Sequence, residues 1–219
     1  EMWKDFLSLI YPKICMGCQT ILVSNENLIC LSCFADLPKS NFHTQSSVLI
    51  GLEEYNFIIG LYKFNDHVIQ QLIHALKYNG KSSVGEVLGI ELGKLILRND
   101  KYEEIDLIVP VPIHRNKKRK RGYNQSYYIA KGVAKIINAP IREILRKSEK
   151  GKSQTSQKKY ERWLNVKDSF SLKSNINPQV NHVLIIDDVI TTGATIEACV
   201  KAIRKYGKVK ISIAVLAIA

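Results

Sequence analysis

Two adjacent carboxylates end a hydrophobic run in Val183-Leu-Ile-Ile-Asp-Asp-Val-Ile-Thr-Thr-Gly-Ala-Thr195. The apolar residues before them suit a buried strand, and open α/β sheets bind ligands beyond the carboxyl ends of their strands. The Thr/Gly stretch then opens a helix, where unpaired backbone N–H groups and the helix dipole favour an anion. Thr191, Thr192 and Thr195 add hydroxyl donors. Gly193, followed by Ala194, lets the backbone come close. Asp187 and Asp188 stand where they can accept hydrogen bonds from two neighbouring hydroxyls. An anion with a vicinal diol beside it is the pattern of a ribose 5-phosphate. The plainer alternative is a strand–helix junction with acidic caps. The stretch is not a P-loop, because no G-x4-G-K-[ST] occurs, nor a G-x-G-x-x-G dinucleotide turn.

Cys15-Met-Gly-Cys18 and Cys30-Leu-Ser-Cys33 form C-x2-C-x11-C-x2-C. Each pair can turn two thiolates inward from one knuckle, and two knuckles complete a tetrahedron around Zn2+. Four ligands leave no open position, so such a zinc is structural. A disulfide or redox role and an iron–sulfur cluster are the alternatives. Cys199 lies on an apolar helical stripe with Ile196, Val200 and Ile203 and reads as core.

Arg115 to Arg121 holds six cations in seven positions: Arg115, Lys117, Lys118, Arg119, Lys120 and Arg121. Tyr123, Tyr127 and Tyr128 follow. Charges that track a backbone and rings that stack bases suit single-stranded nucleic acid. Arg115 and its neighbours equally suit a pyrophosphate, and a solvated charged loop is the plain reading. Residues 148–160 are too polar for core and too long for an ordinary connection. They read as a mobile loop over a site, with Lys152, Lys158 and Lys159 available to an anion, or as a solvated linker. Lys77 and His74 read as surface or capping residues rather than ligands.

The elements that must position these groups alternate. An amphipathic helix with Trp3, Phe6, Leu7 and Ile10 opens the chain. Residues 38–47 form a polar connector and 55–64 a strand. Asp66 caps a helix that Gly80 ends, and a second helix covers 84–98. Strands follow at 105–111, 182–187 and 209–218, with helices at 124–138 and 193–206; residues 141–145 suit either. This order predicts an α/β fold with a mostly parallel sheet flanked by helices, preceded by a small four-cysteine zinc module. Residues 1–47 are expected to hold the N-terminal helix and cysteine module, and 48–219 the main domain.

Lys plus Arg number 32 against 20 Asp plus Glu, a formal charge of +12 that favours polyanionic partners. Residues 1–14 lack a secretory cleavage pattern, and no apolar run reaches the roughly 18 residues of a membrane helix. A cytoplasmic setting without membrane insertion is expected, and there paired cysteines bind metal more often than they oxidise.

DDVITTGAT resembles the phosphoribosyl-pyrophosphate (PRPP) loop of type I phosphoribosyltransferases. Val109-Pro-Val-Pro112 followed by Arg115 resembles that family's pyrophosphate loop. Arg121-Gly-Tyr-Asn-Gln-Ser126, Arg146 with Thr155 and Gln157, Arg162 with Asn165 and Val166, and the leading four cysteines resemble the ComF family of DNA-uptake competence proteins. The resemblance implies a type I phosphoribosyltransferase-like fold that binds PRPP or ribose 5-phosphate with Mg2+. Asp187 and Asp188, the candidate catalytic pair, then hold the ribose hydroxyls. Thr191, Thr192, Gly193, Ala194 and Thr195 wrap the 5-phosphate, and Arg115 faces the pyrophosphate. It also implies work on single-stranded DNA in natural transformation, with a competence helicase as a possible partner. The rival readings are a metabolic phosphoribosyltransferase, in base salvage or amine transfer, and a regulator that binds PRPP and DNA without chemistry. No acceptor pocket is recognisable.

Overall fold

The computed structural model describes residues 12–23, 25–26, 28–40, 55–99, 102–148 and 170–219. Helix α1, Leu31–Ala35, starts at Cys30, whose sulfur accepts from the Cys33 N–H. Strand β1, Ile58–Lys63, is built from branched and aromatic residues that suit a pleated, buried surface. Helix α2, His67–Tyr78, begins at the expected cap: Asp66 accepts from the Ile69 N–H at 3.0 Å, satisfying one otherwise orphaned donor. Its apolar stripe, Ile69, Leu72, Ile73 and Leu76, is buried. Helix α3 spans Ser82–Leu97 and strand β2 spans Leu107–Pro110.

The cationic run forms a short helix, α4, Arg115–Arg121, rather than a loop. His114 caps its start through Nδ1, and Gly122 ends it in the left-handed conformation, φ 82°. Asn124 then caps α5, Gln125–Ile137. The ambiguous 141–145 region resolves into a bridge from Ile141 to Ile108 and the start of strand β3, Leu145–Lys147. Strand β3 pairs antiparallel with β4, Phe170–Leu172. Strand β5, His182–Ile190, helix α6, Ala194–Arg204, and strand β6, Lys210–Ile218, complete the described chain.

The main sheet is wholly parallel in the order β1-β6-β5-β2. Both faces are covered, which explains why β5 and β6 read as continuous apolar runs. Leu184, Ile186 and Leu216 pack with α2, α3 and α5 on one face. Val183, Ile185, Ile213 and Val215 pack with α6, Leu145 and Phe170 on the other, where Cys199 is buried as core. All strands point the same way, so their carboxyl ends gather at one edge.

Helices α3 and α5 approach at backbone distance. A Cβ on Gly89 would lie 2.3 Å from the Ile129 carbonyl oxygen, and one on Gly132 would lie 2.2 Å from that of Glu86. This close contact fixes α5, and with it the Asn124–Ser126 turn at the sheet's carboxyl edge.

The cysteine segment packs on the same body. Leu22, Leu28, Ile29 and Leu37 join the core cluster of β1 and α2. Lys39 bridges antiparallel to Tyr62, and the Ser40 N–H donates to the Leu61 carbonyl at 2.9 Å, covering the edge of β1. The expected opening helix, the 47/48 boundary, most of the connector and the loop with Lys152, Thr155, Gln157, Lys158, Lys159, Arg162, Asn165 and Val166 lie outside the described residues.

Candidate phosphate-binding site and cysteine cluster

Strand β5 carries its two acids to the carboxyl edge of the sheet, each more than nine-tenths buried. The two acids meet different partners, both from the α2 and α5 layer. Asp187 Oδ1 accepts from Ser126 Oγ of α5 at 2.9 Å and from the Asp188 N–H at 2.9 Å. Asp188 Oδ1 lies 3.0 Å from Lys77 Nζ of α2. The second oxygen of Asp188, Oδ2, is buried without a hydrogen-bond partner among the described residues. An unpaired buried acceptor costs about 1–3 kcal/mol or more, so this oxygen marks a place where a ligand donor fits.

Burial, and then the Asp188 charge beside it, push the Asp187 carboxyl up to about 7. An acid whose folded pKa is raised binds a proton that the unfolded chain has already released. Its contribution to stability therefore declines as pH rises from its ordinary value of 3.8 to about 7. A diol needs the ionised carboxylate as acceptor. The melting-temperature gain from PRPP is accordingly expected to grow between pH 6 and pH 8, and to grow much less in Asp187→Asn. A parent gain independent of pH across that range would remove Asp187 from the ligand.

The loop beyond the acids supplies donors. Gly193 adopts φ 73°, a conformation natural to glycine, and α6 has no side-chain cap. Thr191 and Thr192 are exposed, and Asp187 with Val189–Ile196 lines an open depression. An uncapped helix start beneath two threonine hydroxyls can take a phosphate.

Strand β2 pairs with β5 from Leu107↔Val183 to Pro110↔Ile186. The Val-Pro turn and Arg115 therefore leave the sheet at the edge that bears the acid pair. On α4, Lys118 lies 3.6 Å from Glu143, and Arg121 donates to Gln125 at 2.9 Å with its guanidinium 5.0 Å from the Tyr78 ring centre. Lys117, Arg119 and Lys120 are exposed and make no ion pair among the described residues. Tyr127 is exposed. Tyr128 packs edge-on against Tyr123 and Tyr127, at 5.2 and 6.1 Å between ring centres. Half-buried Tyr128 is thus partly committed to packing.

The four cysteine sulfurs, of Cys15, Cys18, Cys30 and Cys33, lie within 4.8 Å of one another. Thiolates about 2.3 Å from a tetrahedral zinc stand about 3.8 Å apart. Cys18 and Cys30 Sγ are 3.7 Å apart, too far for a disulfide and right for a shared ion. Backbone N–H groups of Gly17 and Cys30 each donate to Cys15 Sγ at 3.3 Å, as in a metal knuckle. The Thr20 hydroxyl, 2.9 Å from Cys18 Sγ, lowers that thiol to about 6. Hydrogen bonding to the Cys18 and Cys30 sulfurs pushes Cys33 up to about 12. The donor set fits zinc.

Three residues of this edge carry more than their sequence context suggests. Lys77 reaches the acid pair instead of capping its own helix. Ser126 and Asn124 belong to the Arg121–Ser126 motif without an obvious task. Ser126 binds Asp187, and buried Asn124 donates from Nδ2 to the Val111 carbonyl at 3.0 Å. Among the described residues no helix is long and apolar enough to cross a membrane.

Residues 123–218 match the phosphoribosyl transferase domain family. Together with the parallel sheet and the acid pair at its carboxyl edge, this match defines the class: a phosphoribosyltransferase-type α/β protein. Competence protein F of Haemophilus influenzae is 27% identical over 91% of this chain and 88% of its own. Competence protein ComFC of Bacillus subtilis is 24% identical over 94% of this chain and 84% of its own. The DNA utilization protein YhgH of Escherichia coli is 26% identical over 66% of this chain and 65% of its own. The chain is thus similar to ComFC-type competence proteins along about nine-tenths of its length, and its residues 123–218 match a phosphoribosyl transferase domain.

Proposed function

We propose that this protein binds PRPP with Mg2+ at the β5–α6 loop and acts on single-stranded DNA during DNA uptake in natural transformation. The observation that carries the reading is Asp188 Oδ2, buried without a hydrogen-bond partner among the described residues, on the strand whose following loop opens an uncapped helix. The relatives named for competence extend along about nine-tenths of the chain, cysteine segment included, which favours a DNA role over base salvage or amine transfer.

In this reading Asp187 and Asp188 accept hydrogen bonds from the ribose hydroxyls. Thr191, Thr192, Gly193, Ala194 and Thr195 surround the 5-phosphate. Arg115 faces the diphosphate. Mg2+ bound with PRPP beside Asp187 and Asp188 would supply positive charge that stabilises the leaving diphosphate. The residues' task is to fix the ribose and exclude water, because transfer at the anomeric carbon depends mainly on positioning and charge stabilisation. The cysteine cluster, assigned to an N-terminal module of residues 1–47 that packs on the phosphoribosyltransferase-like domain at 48–219, holds a structural zinc. The setting is cytoplasmic, and a competence helicase is a further partner in this proposal.

Lys117, Lys118, Arg119, Lys120 and Arg121 track DNA phosphates on α4, with Tyr127 and Tyr128 beside bases. Each phosphate contact on a single strand contributes a log–log salt slope near −0.7. Changing Lys117, Lys118, Arg119 and Lys120 together to Gln is expected to flatten the slope by about 2–3 units. Tyr127→Ala is expected to weaken binding by about 1–3 kcal/mol without changing the slope. Gel-shift titrations over a salt series read both. An unchanged slope in the four-residue variant would place DNA elsewhere.

A further inference from the structure

We infer that Lys77 is a positioning residue of the acid pair: its ammonium holds Oδ1 of Asp188 and leaves Oδ2 as the acceptor for a ribose hydroxyl. This rests on the PRPP reading above and assigns diol selectivity to a residue outside the loop and strand that form the site.

Asp188 has two oxygens and two different surroundings. Oδ1 is 3.0 Å from Lys77 Nζ, and Oδ2 is buried with no hydrogen-bond partner among the described residues. A lone carboxylate at this depth would turn to share its oxygens among whatever donors it could reach. The ion pair removes that freedom, and the Lys77 side chain is itself only 22% exposed. A partly buried cation on one oxygen fixes the other.

The last turn of α2 is held so that this geometry persists. The Tyr123 hydroxyl donates to the Leu76 carbonyl. The Arg121 guanidinium sits 5.0 Å from the Tyr78 ring centre, and His74 packs against the same ring at 4.8 Å. Residues on both sides of Lys77 are thus fastened, two of them by the motif that also supplies Ser126 to Asp187. Both acids are therefore steered by side chains from the opposite helical layer, Asp187 by α5 and Asp188 by α2.

The prediction separates the diol from the phosphate. Ribose 5-phosphate and 2-deoxyribose 5-phosphate differ only in the 2-hydroxyl, so their affinity ratio reads acceptance by the acid pair. The phosphate loop should treat them alike. In the parent protein the ratio is expected to be about tenfold or more, since a site built to accept a hydroxyl is left unpaired when it is missing. Lys77→Met is expected to reduce the ratio to about twofold or less while 2-deoxyribose 5-phosphate binds as in the parent. Lys77→Arg, which keeps the cation, should restore most of the ratio. Calorimetric titration of the full chain with both sugars measures all three proteins. Equal ratios in parent and Lys77→Met overturn the assignment of Lys77 alone. A parent that binds neither sugar overturns the PRPP reading and this inference with it.

Discussion

Cys15→Ser is expected to release the proposed zinc and lower the melting temperature by about 10 °C or more. Cys15 is the buried ligand of the four, and two backbone N–H groups are committed to its sulfur. Without an ion, four close thiols must share protons and alter the two knuckles that hold the Cys15–Cys33 segment in shape. That segment is not a detachable bead. Leu22, Leu28, Ile29 and Leu37 belong to the core that includes β1 and α2, and α2 carries Lys77 to the acid pair. Its loss exposes apolar surface of the main body and uncovers the edge of β1. Metal analysis of the purified protein should find about one zinc per chain in the parent and none in the variant. Folded parent protein with Cys15, Cys18, Cys30 and Cys33 all reactive as thiols and no metal would rule the zinc out.

Gly132→Ala is expected to cost about 2–4 kcal/mol and to lower the melting temperature by about 5–15 °C. The sign is the informative part. In an ordinary helix interior, glycine to alanine stabilises by about 0.5–1 kcal/mol, because alanine loses less backbone entropy on folding. Here the added carbon would meet Glu86 O at 2.2 Å, Ile90 N at 2.7 Å and Gly89 C at 2.8 Å. All three are backbone atoms of α3 and cannot swing aside, so α3 and α5 must separate. Ser126 lies on the first turn of α5, so the strain is expected to reach Asp187 as well. Gly207→Ala is the control: a Cβ there meets nothing within 4 Å, and a change within about 0.5 kcal/mol is expected. Thermal or denaturant unfolding of both variants measures the difference. Stabilisation by Gly132→Ala would refute the close packing of these helices.

The parts of this molecule that the sequence makes readable are those with local causes. The strand before Asp187, the Asp66 cap, the cysteine knuckles and the helix that begins at Gly193 each follow from residues a few positions apart. The hidden parts depend on partners distant in the chain. Lys77 reads as a capping lysine because its partner, Asp188, comes from the far end of the chain. Glycines at 85, 89 and 93 stand four apart on one helix face, a visible spacing whose meaning depends on Gly132 opposite. The basic run does not announce a helix, since six like charges give no apolar period and repel one another. Its signals are the ends, a His114 cap and Gly122 at the exit. Residues 141–145 are ambiguous by pattern, and pairing of Ile141 with Ile108 and of Leu145 with Leu172 settles them. Ser126 could have been suspected from its place one turn from a buried Asn cap, but only the fold shows which acid it serves.

The central claim is that the acid pair and the loop beyond it bind PRPP, and calorimetric titration with PRPP and Mg2+ tests it most directly. The parent is expected to bind and to gain melting temperature through that binding, by about 2.7 kcal/mol of added stability at a ligand concentration 100 times the dissociation constant. Asp188→Ala removes the open acceptor and leaves the Lys77 charge unpaired. It is expected to weaken binding by about tenfold or more while the protein stays folded. Asp187→Ala is expected to weaken it as well. Parent-like affinity for PRPP in both folded variants, or no PRPP binding by the parent, would contradict the account.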